Sequence, residues 1–198
     1  MRTYNPTIDV LLLCTANQCR SPMAEALLRH RLEAVGVDAV VSSAGLYPGG
    51  RPATPHGVAT MADRGLDLSG HRSRQIDAPR LLAADLVIGM TREHVREAAV
   101  IQPDVLSRAF TLKELVRAAA ITGPRRSGED LDGWLARVAA ERNRSDLLGV
   151  GHDDELDVAD PVGLGRADYE RTAHLLDDLL AQVVAFAFPA HRSEECTA

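Results

Sequence analysis

Four short runs of apolar residues occur along the chain and predict strands. They lie at about 8–13, 39–44, 86–88 and 105–111. Runs of this length with few polar residues are typical of strands that are buried on both faces. The first run ends directly at Cys14, so we expect this thiol at the carboxyl end of a strand.

The segments between and after these runs carry apolar residues at helical spacing. A helix is predicted at about 22–35, a second one ends near Gly65, a third begins at Thr91, and the last covers about 166–187. Because strands and helices alternate, we predict an α/β fold. It would be a doubly wound, three-layer domain: a four-stranded parallel sheet with helices on both faces.

The segment that joins the first strand to the first helix has the features of an anion-binding loop. A tight turn between a strand and a helix directs several backbone N–H groups into one concavity, and the helix start adds its positive dipole end. This predicted phosphate loop contains Cys14, Arg20 and Ser21, with Thr15, Ala16, Asn17, Gln18 and Cys19 between them. We expect Ser21 to cap the helix and Pro22 to occupy its first position.

Cysteine and arginine in one such loop indicate phosphoryl transfer through sulfur. The field of the loop stabilises a thiolate, which makes Cys14 the candidate nucleophile. The planar guanidinium of Arg20 can bind two phosphoryl oxygens at once, and the Ser21 hydroxyl is placed to donate to the sulfur. The alternative is that Cys14 and Cys19 are packed thiols and Arg20 is a surface charge.

A phosphomonoesterase of this kind also needs a general acid for the leaving oxygen. Asp160 is the best candidate, because Pro161 stiffens the loop before the last helix. Its neighbours Asp153, Asp154, Glu155 and Asp157 are rivals for this role, or simply belong to a solvated acidic loop.

Composition limits the classes of partner that the protein is expected to bind. The chain has 198 residues, 45% hydrophobic and 25% charged, which suits one globular domain. Its net charge of -6 argues against nonspecific binding to nucleic acid or anionic membranes. We find no signal-like leading segment and no apolar stretch of about 18 residues or more, so we expect a cytoplasmic protein without membrane contact.

The three cysteines favour a reducing compartment. Two of them share the phosphate loop and Cys196 lies in a polar tail, so the cysteines do not form a structural disulfide framework. The histidines are too scattered along the sequence for a zinc site. We therefore expect neither metal nor cofactor. Cys19 is near enough in sequence to trap an oxidised Cys14 as a disulfide, which predicts reversible inactivation by peroxide; simple packing is the alternative role for Cys19.

Residues 14 to 22 resemble the signature of the low-molecular-weight protein tyrosine phosphatases, whose loop is typically C-x-G-N-x-C-R-S-P. Asp160-Pro161 resembles the acid loop of that family, and Ser43-Ala44-Gly45 and Gly70 to Ile76 are similar to two further segments. The resemblance covers residues 8 to about 115 and 156 to 187. It implies that Cys14 is the nucleophile, Arg20 the transition-state clamp and Asp160 the acid, while the loop is held in shape by Asn17, Ser43 and His71.

Three departures from the family pattern bear on the substrate. Val162 follows the Asp-Pro pair where the family commonly has an aromatic residue, and Tyr47 is a candidate replacement for that ring. Gln18 matches neither the Ile of many tyrosine phosphatases nor the Thr of a branch similar to protein arginine phosphatases. Ala16 replaces a glycine, which costs stability only if the backbone needs a positive φ. Phosphotyrosine protein is the leading substrate class, with phosphoarginine and small phosphoesters open.

Residues 122–155 are extra relative to the resemblance and predict a helical insert. Ser127 is expected to cap a helix that runs to about Arg142 and buries one stripe, namely Leu131, Trp134, Leu135 and Val138. The insert either packs on the domain or covers the pocket and contacts a protein substrate. We predict a disordered tail from about residue 189.

Two other functions fit the same domain. An arsenate reductase would need two further redox cysteines, and residues 80–95 contain none. A non-catalytic module that binds phosphorylated proteins would result if Asp160 were misplaced or if Gln18 and Val162 spoiled the pocket. The sequence leaves the oligomeric state undecided.

Overall fold

A single sheet of four parallel strands, in the order β2-β1-β3-β4, forms the centre of the molecule. The computed structural model describes residues 7–142 and 154–189. The strands are β1 (Ile8–Cys14), β2 (Ala39–Gly45), β3 (Leu86–Gly89) and β4 (Ala109–Thr111). The predicted fold class is confirmed.

The strand register brings the functional end of the sheet together. Cys14 pairs with Gly45 of β2, and Leu13 pairs with Gly89 of β3. The carboxyl ends of the three strands therefore meet at one edge. The chain leaves β1 towards β2 and later returns to β3 on the other side of β1, and parallel sheets bind ligands at such a reversal of strand order.

Alternate residues of β1 enter two separate cores. Val10 and Leu12 face a large core formed with α1 (Arg20–Ala34), α2 (Pro55–Ala62), α5 (Leu112–Thr122), α6 (Leu131–Ala140) and α7 (Arg166–Ala187). Leu11 and Leu13 face a smaller core with α3 (Ala78–Ala83) and α4 (Arg92–Ile101). Successive strand residues point to opposite faces, so the sheet is covered on both sides.

The fourth strand is shorter than predicted. Residues Pro103–Ser107 form a short 3-10 helix, and only Ala109–Thr111 pair with β3. Pro103 fits the start of a helical turn and cannot donate to a strand ladder, which explains the difference. Val105, predicted as a strand residue, is instead buried from this turn.

The helix within the predicted insert buries the stripe that the sequence predicts. Leu131, Trp134, Leu135 and Val138 are all buried, as predicted, although Asp130 caps α6 and not Ser127. The last helix has the predicted bounds, Arg166–Ala187. Most of the predicted insert's second half, residues 143–153, and the predicted tail after residue 189 lie outside the described residues.

Within the two described ranges, no helix is long and apolar enough to cross a lipid bilayer.

Candidate active site

The phosphate loop, residues 14–21, connects β1 to α1 and is almost entirely buried at its two ends. Cys14 is 2% exposed, and the Ser21 hydroxyl donates to its sulfur at 3.0 Å. Helix α1 begins at Arg20, with Cys19 at the N-cap position and no capping side chain. The prediction that Ser21 caps the helix and that Pro22 opens it is therefore wrong, because the chain becomes helical earlier. The serine hydroxyl is thereby free to bond to the sulfur.

Arg20 is buried, and both of its terminal nitrogens make hydrogen bonds. Its Nη1 donates to the carbonyl of Val158 at 2.9 Å, and its Nη2 donates to Thr15 Oγ1 at 3.2 Å and Asp160 Oδ2 at 2.5 Å. Its Nε is buried and has no hydrogen-bond partner. Since Nε and Nη2 share one edge of the guanidinium, this edge can bind two oxygens of a phosphoryl group.

The acid loop, residues 158–165, lies above the phosphate loop. The N–H of Val158 donates to the carbonyl of Met90 at the end of β3, and its own carbonyl accepts from Arg20. Asp160 follows two residues later, with its side chain 40% exposed and its Oδ1 accepting from the N–H of Val162. The carboxylate is therefore held at the mouth of the site, against the phosphate-binding edge of Arg20.

The rival acids are placed differently. Asp157 Oδ1 accepts from the backbone N–H of Arg92 at 2.9 Å and so fixes the start of α4. Glu155 is exposed, while Asp153 and the side chain of Asp154 lie outside the described residues. Asp157 is thus engaged at α4, whereas Asp160 contacts Arg20 directly, which favours Asp160 as the acid.

Asn17 is the central support of the phosphate loop. Its backbone has a φ of 52°, in the left-handed region, and its side chain is fully buried. The amide nitrogen donates to Ser21 Oγ at 2.9 Å and Ser43 Oγ at 2.8 Å, while the amide oxygen accepts from the N–H of Arg74 at 2.8 Å. One side chain thus ties the loop to β2 and to the segment that contains His71.

His71 and Ser43 both contact Asn17. The ring Nε2 of His71 lies 2.7 Å from the carbonyl oxygen of Asn17. Ser43 Oγ accepts from Asn17 and donates to Glu25 Oε2 at 2.6 Å. Glu25 on α1 was not predicted as part of this network.

Two positions show how closely the backbone is packed. A Cβ at Gly45 would lie 2.7 Å from the backbone nitrogen of Asn17, so a side chain there would deform the loop. Ala16 has no positive φ, because in the described ranges Asn17 is the only residue other than glycine in that region. The replacement of the family's glycine by Ala16 therefore introduces no backbone strain.

Gln18 contributes its carbonyl, which accepts from the N–H of Thr54 at 2.8 Å.

Cys14 and Cys19 are both free, buried thiols. Burial, followed by the negative charge of Asp160, raises the pKa of Cys19 to about 12, against a smaller opposing hydrogen bond from Tyr169. Cys19 is therefore a neutral thiol at physiological pH, and we expect it to attack an oxidised Cys14 only slowly.

The mouth of the site is lined by exposed apolar side chains. Tyr47 is 59% exposed and its N–H donates to the carbonyl of Thr15, which places it beside the phosphate loop. Val162 on the acid loop is 55% exposed. Among the described residues, no three His, Cys, Asp or Glu side chains come together to hold a metal ion.

One buried contact of the phosphate loop was missed from the sequence. His94, near the start of α4, is fully buried and its Nε2 lies 3.1 Å from Thr15 Oγ1. The signal was present, because Thr91-x-x-His94 directly after a buried strand places a ring at the carboxyl edge of the sheet, where the predicted loop lies.

The fold and the site define a protein of the α/β class with a cysteine and arginine anion loop after its first strand. Residues 9–142 match the family described as low molecular weight phosphotyrosine protein phosphatase. The chain belongs to this family. The matched range includes the first part of the segment 122–155 and ends before Asp160.

Comparison with individual proteins is consistent with this family assignment. A protein-arginine-phosphatase of Bacillus subtilis is 39% identical over 111 residues, which cover 55% of this chain and 73% of the relative. The low molecular weight protein-tyrosine-phosphatase Etp of Escherichia coli is 32% identical over 138 residues, or 67% of this chain and 90% of the relative. The crystal structure of a low molecular weight protein tyrosine phosphatase from T. tengcongensis superposes with a TM-score of 0.67 at 29% identity, and covers 90% of this chain and 98% of that one.

Proposed function

We propose that the protein is a cysteine-dependent phosphomonoester hydrolase that acts on phosphorylated proteins through a phosphocysteine intermediate. The observation that carries the proposal is the arrangement around Arg20. Its Nε has no hydrogen-bond partner, its Nη2 contacts Asp160 at 2.5 Å, and the next residue, Ser21, donates to the Cys14 sulfur at 3.0 Å. A nucleophile, an anion clamp and an acid thus meet at the end of β1.

Substrate binding uses the phosphate loop as a whole. The phosphoryl group lies among the backbone N–H groups of residues 15–20 and takes the Nε and Nη2 edge of Arg20. Asp160 contacts that edge in the resting protein, so binding turns its carboxyl towards the leaving oxygen. Because the side chain of Asp160 is 40% exposed, this rotation disturbs little packing.

The chemistry then takes two steps. The Cys14 thiolate attacks phosphorus, the bond from phosphorus to the leaving oxygen breaks, and Asp160 gives its proton to that oxygen. Asp160 then accepts a proton from water, which attacks the phosphocysteine and releases inorganic phosphate and the thiolate. The Ser21 hydroxyl, 3.0 Å from the sulfur, stabilises the thiolate as nucleophile and as leaving group.

Phosphotyrosine is the proposed substrate class, with phosphoarginine as the alternative. Tyr47, exposed next to the phosphate loop, is the ring proposed to pack on a flat aryl group, whereas Val162 on the acid loop provides none. The alternative is supported by the 39% identity to a relative named a protein-arginine-phosphatase. Gln18 differs from the expected residue of either group, so the loop itself does not decide between them.

Positive charges around the site favour an anionic substrate, although the whole protein has a net charge of -6. Arg51, Arg72 and Arg74 are exposed on two loops beside the phosphate loop, which are joined by the N–H of Ser73 donating to the carbonyl of Arg51 at 2.7 Å. In the described part of the chain none of the three has a carboxylate partner. Their local positive charge favours phosphoproteins, and the cytoplasm is the proposed location.

Hydrolysis of a generic aryl phosphate tests the proposal. We expect Cys14→Ser to abolish turnover and Asp160→Asn to lower kcat by on the order of 10² to 10⁴, because a general acid contributes about that factor. Asp178→Asn, on the exposed face of α7, is the matched control and should retain full activity. Phosphotyrosine, phosphoserine and phosphoarginine peptides compared side by side then identify the substrate class.

Three outcomes would contradict the proposal. Activity that survives in Cys14→Ser excludes the phosphocysteine route. Binding of phosphopeptides without turnover by the unmodified protein identifies a non-catalytic binding module instead. Arsenate reduction that depends on added thiols, without phosphatase activity, supports the reductase.

A further inference from the structure

The protonation state of His94 follows from its hydrogen bonds. The backbone N–H of Thr91 donates to the ring Nδ1 at 2.9 Å. A backbone N–H can only donate, so Nδ1 carries a lone pair and no proton. Burial, followed by the positive charge of Arg20, lowers the pKa of His94 to about 3, and the ring is therefore neutral at physiological pH. Its one proton lies on Nε2.

This proton fixes the role of the Thr15 hydroxyl. Nε2 of His94 lies 3.1 Å from Thr15 Oγ1 and donates to it, while Nη2 of Arg20 donates to the same oxygen at 3.2 Å. A hydroxyl accepts two hydrogen bonds and donates one. With both lone pairs of Oγ1 engaged, its hydrogen must point away from His94 and from Arg20.

The Thr15 hydroxyl shares its arginine partner with the proposed acid. Nη2 of Arg20, which bonds Thr15 Oγ1, also contacts Asp160 Oδ2, so the hydroxyl lies on the acid side of the phosphate loop. Across the described residues, Oγ1 makes no hydrogen bond besides those to His94 and Arg20. Thr15 is also only partly buried. Its hydroxyl hydrogen is thus available to a bound oxyanion.

We propose that Thr15 is a further phosphate-binding residue, whose side-chain hydroxyl donates to a phosphoryl oxygen, and that His94 is the positioning residue that holds it in the donating orientation. The inference rests on the proposed function, since it assumes a phosphoryl group in this loop. It adds a directed side-chain donor to the backbone N–H groups and Arg20. A donor oriented before the reaction stabilises the charge of the transition state without reorganisation.

Substitutions at Thr15 separate the hydroxyl from the shape of the side chain. Thr15→Val keeps the branched volume and removes the hydroxyl, while Thr15→Ser keeps the hydroxyl. We expect Thr15→Val to lower kcat by on the order of 10², the loss typical of one oriented donor to developing charge. The kcat of Thr15→Ser should stay within about a factor of ten of that of the unmodified protein, since the hydroxyl donor remains. Equal kcat values for Thr15→Val and the unmodified protein would overturn the proposal.

His94 requires a test of coupling, because a buried ring can also matter for packing alone. His94→Gln keeps a donor near Nε2, whereas His94→Leu removes it. We expect His94→Leu to lower kcat about tenfold in the unmodified protein and to have little effect in Thr15→Val, since groups that act through one another are not additive. His94→Gln should restore most of the loss. An equal loss from His94→Leu in both backgrounds would show that His94 acts independently of Thr15.

Binding of orthovanadate, measured by calorimetry, distinguishes failure of this inference from failure of the proposed function. Vanadate is an oxyanion of phosphate-like shape and requires no turnover. We expect Thr15→Val to raise its Kd by about tenfold, in keeping with one lost hydrogen bond to a charged group. If the unmodified protein proves inactive, the proposed function fails, yet an unchanged vanadate Kd in Thr15→Val would separately refute the donor role.

Discussion

The phosphate loop and the acid loop face each other across one site, yet they are held in opposite ways. Cys14 and Arg20 are 2% and 3% exposed, and the side chain of Asn17 alone makes three hydrogen bonds within the loop and its surroundings. The acid loop exposes Val162 by 55% and Leu164 by 53%. Its main links to the rest of the site are the two backbone groups of Val158 and the carboxylate of Asp160.

The difference suits the roles that are proposed for the two loops. An anion site gains from donors that are fixed before substrate arrives, because no reorganisation is then needed in the transition state. An acid that first releases a proton and later accepts one must turn between two oxygens and admit water. We therefore expect substitutions in the phosphate loop to affect stability and catalysis together, and substitutions in the acid loop to affect catalysis alone.

Asn17→Ala should give the largest combined effect. It removes three hydrogen bonds, leaves the N–H of Arg74 without its partner and places alanine at a φ of 52°. We expect a loss of about 3–5 kcal/mol in the free energy of unfolding, from unsatisfied groups and backbone strain together. Urea denaturation measures the loss, and aryl phosphate hydrolysis should fall with it.

Asn17→Gly is the matched control for the backbone. Glycine loses the same hydrogen bonds but tolerates the left-handed conformation, so it should be about 1 kcal/mol more stable than the alanine variant. If both variants unfold at the urea concentration of the unmodified protein, the phosphate loop is not the rigid half of the site.

The pH dependence of stability tests the comparison of the two loops further, because the buried His94 contacts the phosphate loop. Its pKa falls from 6.5 to about 3 on folding. Between pH 6.5 and about 3, His94 is protonated in the unfolded chain but neutral in the folded protein. Its contribution to the free energy of unfolding is therefore fully present above pH 6.5 and decreases as the pH falls. The slope from this one group is at most about 1.4 kcal/mol per pH unit.

Comparison with His94→Gln isolates this contribution from that of the carboxylates. Urea unfolding at several pH values between 4.5 and 7.5 should show a flatter profile for the glutamine variant. Parallel profiles for the two proteins would mean that His94 is not held neutral by the fold.

Val162→Tyr should have the smallest effect on the fold and a selective effect on substrate. The position is exposed, so the free energy of unfolding should change by no more than about 0.5 kcal/mol. A ring beside the mouth should lower KM for a phosphotyrosine peptide by a few-fold, consistent with about 0.5–1.5 kcal/mol for an aromatic pair. A phosphoserine peptide is the control substrate, and an equal gain on both peptides would argue against ring stacking.

Much of the fold was predictable, because apolar runs and helical stripes are local signals. The ends of β1 and the last helix follow directly from them. The fourth strand was predicted too long, since Val105 and its neighbours are apolar enough for a strand but follow Pro103 into a helical turn. Burial alone does not distinguish these two conformations.

The site was predictable only where chemistry is tied to residue type. Cys14, Arg20 and Asp160 stand out because thiol, guanidinium and carboxyl groups have specific roles. In the structure Arg20 contacts Asp160, and its neighbour Ser21 contacts Cys14. Val158 did not stand out, since it acts through its backbone carbonyl and N–H, which every residue except proline possesses. His94 was missed because its partner, Thr15, lies 79 positions away in the chain.

The hydrogen bond from Arg20 to Val158 joins positions 138 residues apart. Closing so long a loop is entropically costly and occurs only after the intervening sheet and helices have assembled. A nascent chain that has emerged only through residue 142 carries the thiol and the guanidinium but no acid. Catalysis by the proposed mechanism would therefore begin only after residue 160 has been synthesised and docked, which makes turnover a sensitive reporter of this late folding step.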